Sequence, residues 1–258
     1  MNKPVKQPKL KCSDLNILIP MAGEGSRFKT AGYILPKPLI EVHGKSMIQL
    51  VVDNLGYEAN YIYVVRKSHY ENYNLEQYLN LLTPGCKIAV VNHLTEGAAC
   101  TTLLAKKHIN NKNPLIIANS DQYIEWNPVE FYCKVINTKA DGGILTFKSS
   151  HPNCSYVKLN RHGHVAELRE KDPFTDIATV GIYYFSHGSD YVRYTEQMIS
   201  KNLRVNNEFY VAPVYNEYIQ DSKKIKTFDV DKMYGLGVPE DLEYFIKNHT
   251  KEYAYAVV

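Results

Sequence analysis

The residues best placed to do chemistry sit in one stretch, Pro20-Met21-Ala22-Gly23-Glu24-Gly25-Ser26-Arg27-Phe28, with Pro36-Lys37-Pro38-Leu39 nine residues after Arg27. Glycines in such a turn accept positive φ and let backbone N–H groups approach an anion closely. A triphosphate carries about four negative charges at neutral pH, and Arg27 and Lys37 put two permanent cations beside the turn. Prolines on both sides of Lys37 restrict its backbone, so the side chain is aimed at modest entropic cost. Two familiar phosphate motifs do not fit. A dinucleotide fingerprint needs a third glycine where Phe28 stands, and a P-loop ending at Gly44-Lys45-Ser46 would need its first glycine where Leu39 stands.

A loop of this kind works only if regular elements hold it. Residues 15–20 read as a buried strand delivering the glycine turn, as ligand sites at the carboxyl ends of open α/β sheets require. Helical spacing over 47–55, a strand at 61–65, a helix over 69–82 stopped by Pro84-Gly85, a strand at 87–91, a helix over 98–108 and a strand at 114–118 follow. Continuous apolar strands alternating with helices predict a parallel sheet covered on both faces. After about residue 140 the pattern becomes β-rich, with strands at 143–147, 155–159, 165–169 and 179–185. Helices follow over 189–200 and 211–219, then a strand at 225–230 and a closing helix over 239–248. His162-Gly163-His164 reads as the centre of a hairpin rather than a metal site, since no third ligand accompanies it.

The stretch PMAGEGSRF…LPKPLIEV resembles the signature of the sugar-1-phosphate nucleotidyltransferases, the sugar-nucleotide pyrophosphorylases, over residues 15–247. The resemblance implies a Rossmann-like α/β/α sandwich with a mixed, mostly parallel central sheet and a β-rich lobe on the acceptor side. It also implies transfer of NMP from an NTP to a sugar 1-phosphate with release of pyrophosphate, and Mg²⁺ as the cofactor. On it, Met21, Ala22, Gly23, Glu24, Gly25, Ser26 and Arg27 wrap the triphosphate, and Lys37 holds the reacting phosphates. His93, Gly97 and Ala98 lie at the base, beside Asn119 and Ser120, and Asp121 binds metal. Arg27, Lys37 and Asp121 are the implied catalytic set. Glu170-Lys171-Asp172-Pro173 resembles the family's EKP-type segment, in which Glu170 meets sugar hydroxyls and Lys171 the acceptor phosphate. Val180 and Gly181 border the acceptor, as does Glu208, which reads equally well as a residue starting a helix. Gly237-Val238-Pro239-Glu240-Asp241-Leu242 matches a late GTPEDL segment. The family's second metal-binding Asp stands two residues before that late glycine, and this chain has Gly235 there. Asp229 and Asp231 lie just upstream, and Asp231 is the expected replacement if the loop is re-routed.

Composition narrows the classes of function. With 258 residues, Lys plus Arg at 30 and Asp plus Glu at 27, the formal charge of +3 gives no footprint for nucleic acid. No apolar run reaches the roughly 18 residues of a membrane span. Residues 1–14 read as a basic disordered tail without a secretory signal, and 15–250 as one catalytic domain. Five cysteines without a CxxC pair point to a reducing, cytoplasmic setting. The expected partners are an NTP and a phosphorylated small-molecule acceptor, without nucleic acid or membrane, and the resemblance leaves room for a homo-oligomer. Two alternatives stay open. One is the same transfer onto a phospho-alcohol or phospho-amino-acid giving a CDP-linked product, with Tyr156, Tyr183, Tyr184, Phe209 and Tyr210 as an aromatic acceptor region. The other is a catalytically silent nucleotide binder.

Overall fold

The computed structural model describes residues 9–249. The chain enters through β1 (Leu10–Pro20), in which Leu18 faces one side of the sheet and Ile17 and Ile19 the other. Strand formation starts earlier than the sequence pattern suggests. Leu10 pairs with Tyr57 and Lys11 with Glu58 ahead of a register shift, so residues 10–14 are strand rather than tail. The rest of the expected tail, residues 1–8, lies outside the described residues.

The glycine turn runs into the short helix α1 (Ser26–Thr30) and a single 3₁₀ turn, Lys37–Leu39. A small hairpin, β2 (Glu41–Val42) and β3 (Lys45–Ser46), leads to α2 (Met47–Leu55). Ser46 caps α2 by accepting from the Gln49 N–H at 3.1 Å, and Gly56 ends it in the left-handed region. After β4 (Tyr57–Arg66), the helix expected over 69–82 is two, α3 (Lys67–Asn72) and α4 (Leu75–Leu82), broken where Asn74 turns left-handed at φ 54°. Beyond β5 (Lys87–Val91), the helix expected over 98–108 is also two, α5 (Ala98–Leu103) and α6 (Lys106–Ile109). The Thr101 and Thr102 hydroxyls donate to the Gly97 and Ala99 carbonyls, a competition with the helical ladder that favours bending.

The strand β6 (Leu115–Ala118) is followed by β7 (Gln122–Glu125) and α7 (Pro128–Asn137), neither of them visible in the sequence pattern. Asn127 caps α7 by accepting from the Val129 and Glu130 N–H groups. Then come β8 (Gly142–Lys148), β9 (Ser155–Leu159), β10 (Val165–Glu170) and β11 (Ile177–Phe185). The chain closes with α8 (Gly188–Ser200), α9 (Val214–Gln220), β12 (Ile225–Asp229), β13 (Lys232–Gly235) and α10 (Pro239–Asn248). His162-Gly163-His164 lies in the β9–β10 turn, where Asn160 Oδ1 accepts from the His162 and His164 N–H groups.

The main sheet runs β10-β9-β11-β6-β1-β4-β5, with β8 on β11 and β12 on β8. Its centre, β6-β1-β4-β5, is parallel, and β11 joins β6 antiparallel with Ile182 opposite Ala118. One apolar face packs against α5, α6, α8 and α9, the other against α2, α4 and α7, so the sheet is the middle layer of a sandwich. A third, smaller core forms where Phe28, Ile40, Met47 and Leu50 meet Tyr234, Leu236, Leu242 and Phe245. That core ties the glycine turn to the ribbon β7–β13 and to α10.

Phe185 is fully buried, with its ring stacked 4.7 Å from Tyr215 and tilted against Tyr191 at 4.7 Å. Phe185→Ala is expected to lower unfolding stability by about 3–5 kcal/mol, measured by urea denaturation.

Candidate nucleotide-transfer site

The carboxyl ends of β1, β5 and β6 open into one cleft of about 460 Å³, lined by Met21, Ala22, Gly23, Lys37, His93, Gly97, Ala98, Asn119, Ser120 and Asp121 on one side. Glu170, Lys171, Val180, Gly181 and Glu208 line the other. Residues far apart in sequence and expected in one site therefore meet in one space.

The turn after β1 is held from beneath. Met21 N–H donates to Val64 at 2.9 Å, Arg66 Nε donates to the Ala22 carbonyl at 3.2 Å, and Arg66 pairs with Glu24 at 3.5 Å. Gly25 sits at φ 61°, and a Cβ on it would lie 3.2 Å from the Lys37 Cβ, so its lack of a side chain lets the turn close on Lys37. Lys37 Nζ reaches Asp121 Oδ2 at 2.6 Å. Arg27 is placed elsewhere. With Ser26 it faces a second cleft bounded by Pro239 and Glu240, and it is exposed. Glu24, Gly25 and Ser26 likewise support the turn without lining the main cleft.

Gly97 is fixed by its surroundings. Its φ is +127°, and a Cβ would stand 2.4 Å from the Phe209 carbonyl oxygen. Around it Ala99 N–H donates to Phe209 O at 2.9 Å and Phe209 N–H to Glu96 O at 2.8 Å. Arg204 adds an ion pair to Glu96. This clamp draws Glu208 and Tyr210 from the acceptor side against the His93–Ala98 segment. His93 itself is exposed, with Nδ1 2.9 Å from Asn92 Oδ1.

On the acceptor side Gly181 stands at φ +83° in a register break of β11 beside the end of β6. One residue beyond the Ile182–Ala118 pair, Asn119 N–H donates to the Gly181 carbonyl at 3.0 Å. Lys171, itself at φ 55°, points its ammonium at the Tyr210 hydroxyl, 2.5 Å away. Glu170 accepts from the Ser155 hydroxyl. Burial pushes its carboxyl above the usual range, and the Glu208 charge adds to this against the pull of Ser155 and Lys171. Ser155 is a site residue that the sequence reading does not assign, and Tyr210 enters that reading only as one of the aromatic acceptor region, not as the partner of Lys171.

The aromatic acceptor region is mostly core. Tyr156 and Phe209 are buried, and Tyr184 packs under the sheet, whereas Tyr183 and Tyr210 line the cleft. The expectation for Asp231 is corrected. Its N–H pairs with Glu125 at the far end of the β7–β13 ribbon, and its side chain is exposed. Gly235 pairs with Gln122, next in sequence to Asp121. Four residues of strand place Asp231 roughly 13 Å from Gly235.

Asp121 fits Mg²⁺. It is a hard oxygen donor at the cleft, 25% exposed, and Gly237 leaves it open, since a Cβ there would lie 3.0 Å from Oδ2. Mg²⁺ is commonly held by one or two carboxylates together with substrate phosphates rather than by an all-protein cage. Among the described residues no group of three or more His, Cys, Asp or Glu forms such a cage.

Two outcomes follow from this geometry. Gly181→Ala is expected to cost about 1–3 kcal/mol from backbone strain alone, more with the Asn119 side chain 2.2 Å from the new Cβ, read by thermal unfolding. For Glu170, a folded-state pKa raised above the unfolded value penalises folding at pH values above both and not below them. Glu170→Gln is therefore expected to raise the melting temperature at pH 8 and to leave it unchanged near pH 3.5, below the ordinary glutamate pKa of about 4.3. Melting curves at the two values check this.

The nucleotidyl transferase family model matches residues 17–244. The bifunctional protein GlmU of Methanococcus aeolicus is 22% identical over 177 residues, 67% of this chain and 40% of that protein. GlmU of Methanocaldococcus jannaschii is 24% identical over 174 residues, 66% of this chain and again 40% of the relative. The chain thus spans about two fifths of the length of these curated relatives. A nucleoside-diphosphate-sugar pyrophosphorylase from Vibrio cholerae superposes with TM-score 0.75 at 24% identity, covering 90% of this chain and 99% of that one. A UDP-glucose pyrophosphorylase complexed with UDP-glucose gives 0.72 at 17% identity, covering 92% and 98%. These likenesses carry the fold. With the family match over nearly the whole described chain and the cleft at the strand ends, this chain belongs to the nucleotidyl transferase family.

Proposed function

We propose that the chain transfers the nucleoside monophosphate of an NTP to a sugar 1-phosphate, giving an NDP-sugar and pyrophosphate. The observation that carries the reading is the pair of lysines at opposite sides of one cleft. Lys37 sits beside the glycine turn and Lys171 beside the half-buried Glu170. A transfer between two phosphates needs a cation at each, and a carboxylate on the acceptor side suits sugar hydroxyls. The relatives' activities, sugar-nucleotide chemistry among them, support the same assignment.

The acceptor phosphate oxygen attacks the α-phosphorus. A P–O bond to the acceptor forms as the bond to the β-phosphate oxygen breaks, and pyrophosphate takes the electron pair. A phosphate dianion is already nucleophilic, so no protein nucleophile or strong base is required, and catalysis rests on positioning and charge. The turn from Met21 to Gly23 presents backbone to the triphosphate. Lys37 leaves Asp121 for the phosphates and steadies the charge that builds on the leaving group. Lys171 exchanges the Tyr210 hydroxyl for the acceptor phosphate and lessens its repulsion from the α-phosphate. Arg27, exposed at the second cleft, turns toward the triphosphate tail. Asp121 would hold Mg²⁺, which when bound supplies Lewis-acid neutralisation of phosphate charge.

The β-rich lobe supplies acceptor contacts through Glu170, Lys171, Val180, Gly181 and Glu208, with Asn119 and Ser120 between the two substrates. Among the described residues no helix is long and apolar enough to cross a membrane. Free cysteines support a reducing, cytoplasmic setting.

Pyrophosphate release measured across UTP, CTP, dTTP, GTP and ATP, crossed with sugar 1-phosphates, phosphocholine and phospho-amino-acids, tests the reading. Release that needs one NTP and one sugar 1-phosphate together is expected. Release with a non-sugar phosphate alone would replace the acceptor, and no release from any pair would overturn the assignment. Lys37→Ala is expected to lower turnover by about 10²–10³, the scale of losing one contact to transition-state charge.

A further inference from the structure

The cleft holds one carboxylate at its phosphate end, Asp121, and Gly235 stands where a second would be expected. We propose that Asp241, from the first turn of α10, supplies that second carboxylate to the metal bound with the nucleotide. The proposal rests on the function assigned above.

Side chains alternate along β13 and its extension. Tyr234 and Leu236 are buried in the third core, whereas Met233 lines the cleft. Positions 235 and 237 share the parity of Met233, about 7 Å apart on extended backbone, and Gly237 lies against Asp121, which lines the cleft. Both are glycine, and neither has φ in the left-handed region. Over each lies a carboxylate oxygen. A Cβ on Gly237 would be 3.0 Å from Asp121 Oδ2, and a Cβ on Gly235 would be 3.2 Å from Asp241 Oδ2. Asp241 therefore reaches the place from which an aspartate at 235 would project. A Cβ at 235 would crowd it, so the two arrangements exclude each other. Glycine at 235 is the complement of Asp241, not simply a lost ligand.

The placement is firm and the group is available. Pro239, Leu242 and Phe245 are buried and fix the start of α10. Asp241 is exposed and carries no hydrogen bond or ion pair among the described residues. An acidic residue in a first helical turn also favours the helix through its dipole. Glu240 holds the adjacent first-turn position and faces the second cleft with Arg27, so it separates the two roles.

The test is calorimetric binding of the α,β-methylene analogues of ATP, CTP, GTP, UTP and dTTP to the full chain, in saturating Mn²⁺ and in EDTA. Mn²⁺ is expected to strengthen binding of the preferred analogue to the unaltered protein. Asp241→Asn should cut that gain at least about tenfold, since even outer-shell partners of a metal are worth 10–100-fold. Affinity in EDTA should not change, and Glu240→Gln should alter neither. The double variant Gly235→Asp, Asp241→Ala, in which the truncated side chain makes room for a Cβ at 235, should regain the Mn²⁺-dependent gain, which a purely structural role for Asp241 would not allow. An equal gain with and without Asp241, or an equal loss in Glu240→Gln, overturns the inference while leaving the nucleotide reading intact. Binding of no analogue overturns both.

Discussion

The cleft is built on the ion pair between Lys37 and Asp121, 2.6 Å long, which joins lining residues 84 positions apart in the chain. Lys37 lies on the 3₁₀ turn between α1 and the β2–β3 hairpin, and Asp121 lies where β6 gives way to β7. The pair therefore connects the glycine turn after β1 to the sheet edge from which the β7–β13 ribbon departs. Both side chains are mostly shielded, 19% and 25% exposed, so the ammonium and carboxylate compensate each other in a partly desolvated place. In the ligand-free protein each charge holds the other in position. On the proposed function a triphosphate would offer the ammonium a better partner and free the carboxylate, so the same two residues would serve the empty and the occupied cleft.

The architecture around this pair depends on close backbone approach. Gly97 accepts a segment of the acceptor side against its own Cα, and Gly181 does the same at the end of β6. Because the Gly97 clamp joins Glu96 and Phe209, and Tyr210 next to it meets Lys171, ordering the nucleotide side and ordering the acceptor side are mechanically linked. The parallel centre of the sheet supplies rigidity, with β1 paired on both edges by β4 and β6. The antiparallel addition of β11 then carries the acceptor residues back to the same end of the sheet, which a purely parallel extension would not do.

Much of this was legible in the sequence, for identifiable reasons. The strands β1, β4, β5 and β6 each contain a continuous apolar run, and β9 and α10 coincide with their expected limits. The turn with Lys37 is legible from its own glycines, cations and prolines, whereas Asp121 at the end of β6 is legible only through the family resemblance. The ribbon β7–β13 was missed because Gln122-Tyr123-Ile124-Glu125 is too short and mixed to stand out, and its partner lies over a hundred residues away. That omission made Asp231 look suitable for a metal, since nothing in the sequence says which end of the ribbon faces the cleft. The breaks at Asn74 and after Thr102 were hidden because helical spacing continues across them. Tyr210 as the partner of Lys171 depends on the fold of the loop before it, with Asn206 and Asn207 both at positive φ, and no spacing rule encodes that.

The account stands on transfer of a nucleotidyl group to a phosphate held by this cleft. The most direct measurement is ³¹P NMR of the protein incubated with an NTP, a sugar 1-phosphate and Mg²⁺. A mutually coupled pair of diphosphate-diester resonances growing one for one with pyrophosphate is the predicted result. Inorganic phosphate or free NMP accumulating without such a pair would contradict it.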